Sequence, residues 1–260
     1  MSLDFTLDKY KELLTTCKDS GYSFIAFEDV YKSTLPAKYI ILRHDVDDLP
    51  IQSLLKAEIE HELSIRSTYY FRIVPESNQP EIIKKIADLG HEIGYHYEDL
   101  SLANGDFKKA IQLFENNLNY FRTFYPVKTI CMHGSPASVW DNKMLWRDYD
   151  YKKYNILGEP YFDIDFSSTL YLTDTGRRWD GNRVSVRDKV KNPFQLSFRF
   201  NKTEEIINAV KQNQLPPRIM ITTHPQRWHD SAGPWMKELI FQNLKNVIKK
   251  YFYVSNPMTD

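Results

Sequence analysis

Asp45 and Asp47 stand two apart in the stretch ILRHDVDD, residues 41 to 48, directly after the apolar run Tyr39 to Leu42. On an extended chain that spacing puts both carboxylates on one face, with Arg43 beside them. Two neighbouring carboxylates repel unless a cation lies between them or one of them is protonated. A metal ion resolves the conflict, with one acid as ligand and the other left as a base. The competing use is a helix N-cap, in which Asp48 or Asp47 satisfies the first N–H groups of the segment that follows.

The same question arises at three other places. In HEIGYHYED, residues 91 to 99, alternation puts Gly94, His96 and Glu98 on one face, and His91 on the other as a core residue. Imidazole is a common ligand of zinc-like metals, and a nearby carboxylate could complete a three-ligand set. His133, before a Gly-Ser-Pro turn, could be a ligand, touch substrate or hydrogen-bond the turn. His224, at the end of ITTHPQRW, suits a general acid or base beside a metal, or a cap on the proline turn. The cluster Asp174, Arg177, Arg178, Trp179 and Asp180 reads as a long loop, in which Arg178 and Trp179 would suit a sugar or anionic substrate.

These residues need elements to hold them. Periodicity predicts helices at 5–19, 50–63, 79–90, 106–124, 138–149, 201–213 and 233–251. Strands are expected at 38–45, 66–74, 91–99, 127–134 and 218–225, with one or two more within 160–174. Strands alternating with helices imply βα units and a parallel sheet. About seven units in one domain spanning 1–260 favour a closed or nearly closed α/β barrel. Asp45, Asp47, His96, Glu98, His133 and His224 would then share the face formed by the strand C-termini, where barrel enzymes carry their sites.

Composition narrows the classes. Lys+Arg and Asp+Glu are equal at 34 each, so no net field draws the chain to nucleic acid or an acidic membrane. Seventeen Tyr among the aromatics suit sugar stacking, although a tyrosine-rich core is the plainer reading. The charged start MSLDFTLDKY has no apolar signal core, and no run reaches membrane-spanning length. Cys17 and Cys131 lack metal-type spacing and read as buried thiols. A cytoplasmic globular protein is expected.

Three segments in order resemble the polysaccharide deacetylase superfamily (NodB homology, carbohydrate esterase family four). IILRHDVDD resembles its strand ending in Thr-Phe-Asp-Asp-Gly, IRSTYYFRI its Ala-Thr-Phe-Phe-Val strand, and GHEIGYHYEDL its Gly-His-Glu-Ile-Gly-Asn-His-Thr segment. The chain is more narrowly similar to the branch found in O-antigen and other surface-polysaccharide assembly. The resemblance covers about residues 38 to 252. It implies a distorted (β/α)7 barrel holding a divalent metal, zinc first, that deacylates an N-acylated sugar.

By that resemblance Asp45 is the general base and His224 the general acid, while Asp47 and His96 bind the metal. Val46 stands at the family's usual acidic ligand position, and Leu100 at that of its second histidine. Glu98 is the expected replacement ligand, on the strand alternation it shares with His96, and His133 the other candidate. Arg43 or Arg178 would supply the family's missing arginine. Two other readings stay open: a metal-independent ureide or cyclic-amide hydrolase, as in relatives of the allantoinase type, and a non-catalytic sugar-binding protein.

Overall fold

The computed structural model describes residues 3–179, 187, 190 and 193–249; side chains at 195, 196 and 247–249 lie outside that description. Seven parallel strands form one sheet: β1 (Ser23–Ile25), β2 (Tyr39–Val46), β3 (Thr68–Phe71), β4 (Glu92–Tyr97), β5 (Ile130–Met132), β6 (Leu170–Thr173) and β7 (Arg218–Thr223). Their order is β5-β4-β3-β2-β7-β6, with β1 joined to the start of β2. Between them run α1 (Leu7–Asp19), α2 (Pro50–Glu62), α3 (Pro80–Asp88), α4 (Asp99–Leu102), α5 (Phe107–Arg122), α6 (Pro160–Asp163) and α7 (Thr203–Lys211); α8 (Ala232–Lys249) ends the fold. The edges β5 and β6 do not pair among the described residues, so the sheet curls without closing.

β2 sits centrally, pairing Arg43 with Thr68 of β3 and with Thr222 of β7. All eight of its residues are buried, as expected of a parallel strand covered on both faces. Its alternation sorts two environments. Tyr39 and Ile41 join Phe27, Tyr70, Cys131, Tyr171 and Met220 in a core inside the curl. Ile40 and Leu42 pack outward in a cluster with residues of α1 and α7. Val46 joins the outer cluster built on α2, α3 and α5. Arg43 and Asp45 continue the inward row, above the apolar plug, so the charged end of β2 lies at the mouth of the barrel.

Several elements differ from expectation. Residues 142–147 form a 3-10 turn in place of the predicted helix over 138–149. The Asn142 side chain donates to the His133 carbonyl at 2.8 Å and accepts from the Ser101 N–H at 2.9 Å, which pins that turn to its neighbours. The stretch 160–174 divides into α6 and β6. Neither Asp47 nor Asp48 caps α2. Leu49 takes that position in a left-handed conformation (φ 50°), and Asp48 accepts from the Leu49 N–H.

Gly94, two residues before His96, is required for a steric reason. A Cβ there would lie 2.2 Å from the Tyr70 ring and 3.1 Å from the Thr129 carbonyl. Gly94→Ala is therefore expected to cost about 1–3 kcal/mol, by overpacking the barrel interior. Urea unfolding checks this, and an unchanged midpoint would mean that Tyr70 moves aside freely.

Candidate active site

The strand ends meet around Asp47, just beyond β2. Its Oδ1 lies 3.5 Å from Nε2 of His96 and 3.6 Å from Nε2 of His133, and its Oδ2 lies 4.0 Å from Nε2 of His224. Asp45 closes the group, with Oδ2 3.9 Å from His96 Nε2. These residues line a cavity of about 390 Å³, rimmed by Arg72, Tyr161, Arg187 and Phe241.

The hydrogen bonds fix which ring nitrogens face inward. His96 Nδ1 lies 2.9 Å from the Cys131 carbonyl, and His133 Nδ1 lies 2.9 Å from Glu98 Oε2. Both partners can only accept, so each Nδ1 carries a proton, and in the neutral ring each Nε2 presents a lone pair. Those lone pairs point at Asp47 Oδ1, which is buried and accepts no hydrogen bond among the described residues. Two imidazoles with tethered Nδ1–H groups and one unsatisfied carboxylate oxygen have the chemistry of metal donors, although their ligand atoms are not all within 4.8 Å of one another.

Glu98 was expected among the ligands, and its geometry is otherwise. Its Oε1 accepts from Arg72 Nε at 2.8 Å and Nη2 at 2.7 Å, while Oε2 takes His133 and Ser135. The bonds to His133 and Arg72 outweigh burial and push its pKa down to about 2. Alternation failed here because β4 ends at Tyr97 and Glu98 is already the N-cap of α4. The same turn sends Leu100 into the core. His133, weighed both as a ligand and as a substrate contact, presents its Nε2 3.6 Å from Asp47 Oδ1. Another grouping, Asp45, His96 and Cys131, has its candidate ligand atoms within 4.8 Å of one another. Asp45 is the poorer ligand, because both its oxygens already serve Arg43.

That pairing is bidentate: Arg43 Nε to Oδ1 at 2.7 Å and Nη2 to Oδ2 at 2.5 Å. Burial would raise the Asp45 pKa, but the guanidinium more than reverses this and keeps the acid ionised. Arg43 is wholly buried beneath Asp45 and is not among the residues lining the cavity, which corrects its expected role in binding substrate. Two further corrections concern the loop after β6. Trp179 is buried against Phe5 and Trp228, donating its Nε1–H to Thr203. Arg178 reaches Asn201 and likewise does not line the cavity. Asp180 and the rest of that loop to 183 lie outside the described residues.

Asp174 is the functional residue that spacing alone missed. Its Oδ1 receives His224 Nδ1 at 2.6 Å and Arg227 Nη1 at 2.8 Å, and its Oδ2 receives the Trp228 indole N–H at 2.7 Å. His224 thereby turns Nε2 to the cavity. Burial opposes ionisation of Asp174, yet Arg227 and His224 hold its pKa well below the usual carboxylate range. It directly follows β6, so the strand-end rule that singled out the other residues also applied to it.

No protein-family model matches this chain, and no curated protein matches it by sequence. Solved structures do. A family-four carbohydrate esterase from Streptococcus mutans aligns at 13% identity and a TM-score of 0.43, over 91% of this chain and 92% of that one. A polysaccharide deacetylase from Bacillus cereus aligns at 14% and 0.42, over 81% and 89%. A family-four pseudoenzyme from Bacillus anthracis aligns at 13% and 0.43, over 82% of this chain but only 62% of that one. The chain is similar in fold to carbohydrate esterase family four. At these identities the likeness stops at the fold and leaves the chemistry to the residues.

Metal binding tests the donor set. Chelator-stripped protein titrated with zinc should saturate near one equivalent, and Asp47→Ala or His96→Ala should abolish this. Glu98→Gln should weaken binding by about 10- to 100-fold, as loss of a carboxylate behind a ligating histidine does. Cys131→Ser should leave it unchanged; the reverse pattern would move the site to the Asp45, His96 and Cys131 group.

Proposed function

We propose that the chain is a metal-dependent hydrolase of the polysaccharide deacetylase superfamily, removing an N-acyl group, acetyl first, from a sugar. The observation that carries this reading is the placement of Asp45 and His224 about the Asp47, His96 and His133 donor set, each fixed from behind by a buried partner of opposite charge. Zinc or a neighbouring divalent ion would be held by Asp47, His96 and His133. When bound there it supplies Lewis acidity toward the acyl carbonyl and toward the attacking water.

The protein's own groups divide the proton work. Asp45, kept ionised by Arg43, accepts a proton from the water as its oxygen bonds to the acyl carbon. His224 gives the proton on Nε2 to the sugar nitrogen as the carbon–nitrogen bond breaks, because an amine leaves poorly unless protonated. Asp174 holds the Nδ1–H and stabilises the charged imidazole through that cycle. Products are a carboxylic acid and a free amino sugar. Arg187, whose guanidinium donates to the Gly134, Ser135 and Ser138 carbonyls, shapes the rim beside His133.

The metal-independent alternative drew on the absent second histidine at position 100; His133 beside Asp47 supports the metal-dependent reading instead. Use in surface-polysaccharide assembly rests on the resemblance of the three sequence segments. A cytoplasmic setting is supported by two cysteines buried as thiols. No helix among the described residues is long and apolar enough to cross a membrane.

Acetate release from nucleotide-linked and lipid-linked N-acetyl sugars tests the reading. Asp45→Asn and His224→Ala should each lower kcat by about 10²- to 10⁴-fold. Metal content should stay at the wild-type level in both. Turnover of ureides with none of any N-acyl sugar would replace this reading with the ureide hydrolase, and turnover of neither class with the binding protein.

A further inference from the structure

A second polar cluster lies on the other face of the sheet, between β2, β7 and the helices α1 and α2. His44 and Thr223 project there, opposite to Arg43 and His224, because alternate strand residues face opposite ways. Lys56 of α2 is wholly buried among them. Its ammonium lies 2.5 Å from Thr223 Oγ1, 3.8 Å from the Tyr10 ring centre and 4.6 Å from that of Trp228. It makes no direct ion pair among the described residues, although an ammonium so buried ordinarily requires one.

The surrounding bonds set the direction of charge. His44 Nδ1 lies 2.7 Å from Thr223 Oγ1, and its Nε2 lies 2.9 Å from Glu60 Oε1, which also receives the Tyr10 hydroxyl. With Lys56 donating to Thr223, that hydroxyl donates to His44 Nδ1, and His44 Nε2–H donates to Glu60. The other route leads to the candidate active site. Trp228 lies under the ammonium and donates its indole N–H to Asp174, and Thr223 directly precedes His224.

We propose that Lys56 is a positioning residue for the Asp174–His224 pair, its buried ammonium seating the Trp228 ring whose indole N–H fixes Asp174 behind His224. The inference rests on the hydrolase reading for what that pair does. The titratable and charged groups about Lys56 are Tyr10 from α1, His44 from β2, Glu60 from its own helix, Asp174 after β6, and Arg227, which shares Asp174 with it. Burial pushes the Lys56 pKa down to about 7 against the pull of Asp174 and Glu60. Below that pH the ammonium over the Trp228 ring is present; above it that charge is lost, while Arg227 still pairs with Asp174.

The test compares the metal-loaded wild type with Lys56→Met, which keeps the length and removes the charge. At about pH 6 the variant's kcat should be roughly ten-fold lower with KM unchanged, and by about pH 9 the two should converge, since both then lack the ammonium. A ratio equal at both pH values, or a variant with wild-type kcat throughout, overturns the proposal. Should Lys56→Met fail to fold, Trp228→Phe keeps a smaller ring under the ammonium and deletes the donor to Asp174. It should lower kcat several-fold at about pH 6 with KM unchanged, and wild-type turnover would overturn the proposal. A readout independent of turnover is the Trp228 indole N–H resonance. In the wild type it should titrate with a midpoint near 7, the value to which burial brings Lys56, and a resonance that does not move overturns the link to Asp174. A wild type inactive on every N-acyl sugar overturns the hydrolase reading, and the indole titration then decides the role of Lys56.

Discussion

Four carboxylates crowd the mouth of this barrel, and the arrangement of the site follows from how their charges are compensated. Asp45 has Arg43, Glu98 has Arg72, and Asp174 has Arg227. Among the described residues Asp47 pairs with no arginine and faces the three imidazoles of His96, His133 and His224 at 3.5 to 4.0 Å. A half-buried carboxylate whose Oδ1 is shut off from water is stabilised there by a cation or a proton. The three paired acids are satisfied and therefore stay where they are. The fourth is left with a lone-pair oxygen facing two ring nitrogens, so the cation-binding tendency is concentrated at one atom.

The sheet makes this separation possible. On β2 the inward row runs Tyr39, Ile41, Arg43 and Asp45, so an apolar plug lies beneath an ion pair, and that pair lies beneath the cavity floor. The outward row carries His44 between Leu42 and Val46, stacked on Tyr69 at 4.2 Å and bound to Glu60. Adjacent residues of one strand thus belong to two polar systems of different surroundings. One faces the cavity, and the other is sealed under α1 and α2. They meet at β7, where Thr223 belongs to the sealed system and His224 to the open one.

The strand-end residues were readable because a parallel βα pattern confines chemistry to one face, and periodicity locates that face without any contact being known. Asp45, Asp47, His96, His133 and His224 all arrive there. What failed was alternation carried beyond a strand's end. Glu98 has left β4, so counting by twos no longer says where it points. The Arg-Trp pair at 178 and 179 failed for another reason. Composition cannot distinguish a tryptophan that stacks on a sugar from one that packs on Phe5 and Trp228. Arg43 was read as a stand-in for the arginine that the resemblance calls for, and nothing in the sequence showed that it would be spent, buried, on Asp45. The sealed network of Lys56, Glu60 and His44 had no signature at all, since an interior lysine on an amphipathic helix looks like a solvated one until the packing is known.

Two departures from the family pattern, Val46 and Leu100, are best understood together. With Val46 in the strand, its side chain packs outward among Leu54, Ala57 and Phe71. The acid that could bind metal is therefore Asp47, just past the end of β2, where its N–H returns to the Asp45 carbonyl at 3.1 Å. An acid displaced in this way faces β4 and β5 across the mouth. His133 at the end of β5 meets it, while residue 100 cannot, because α4 begins at Asp99 and buries Leu100. Each departure taken alone would remove a ligand. In the hydrolase reading the two together leave one carboxylate and two imidazoles from different strand ends to hold a metal, with Glu98 bonded to His133 instead of facing it.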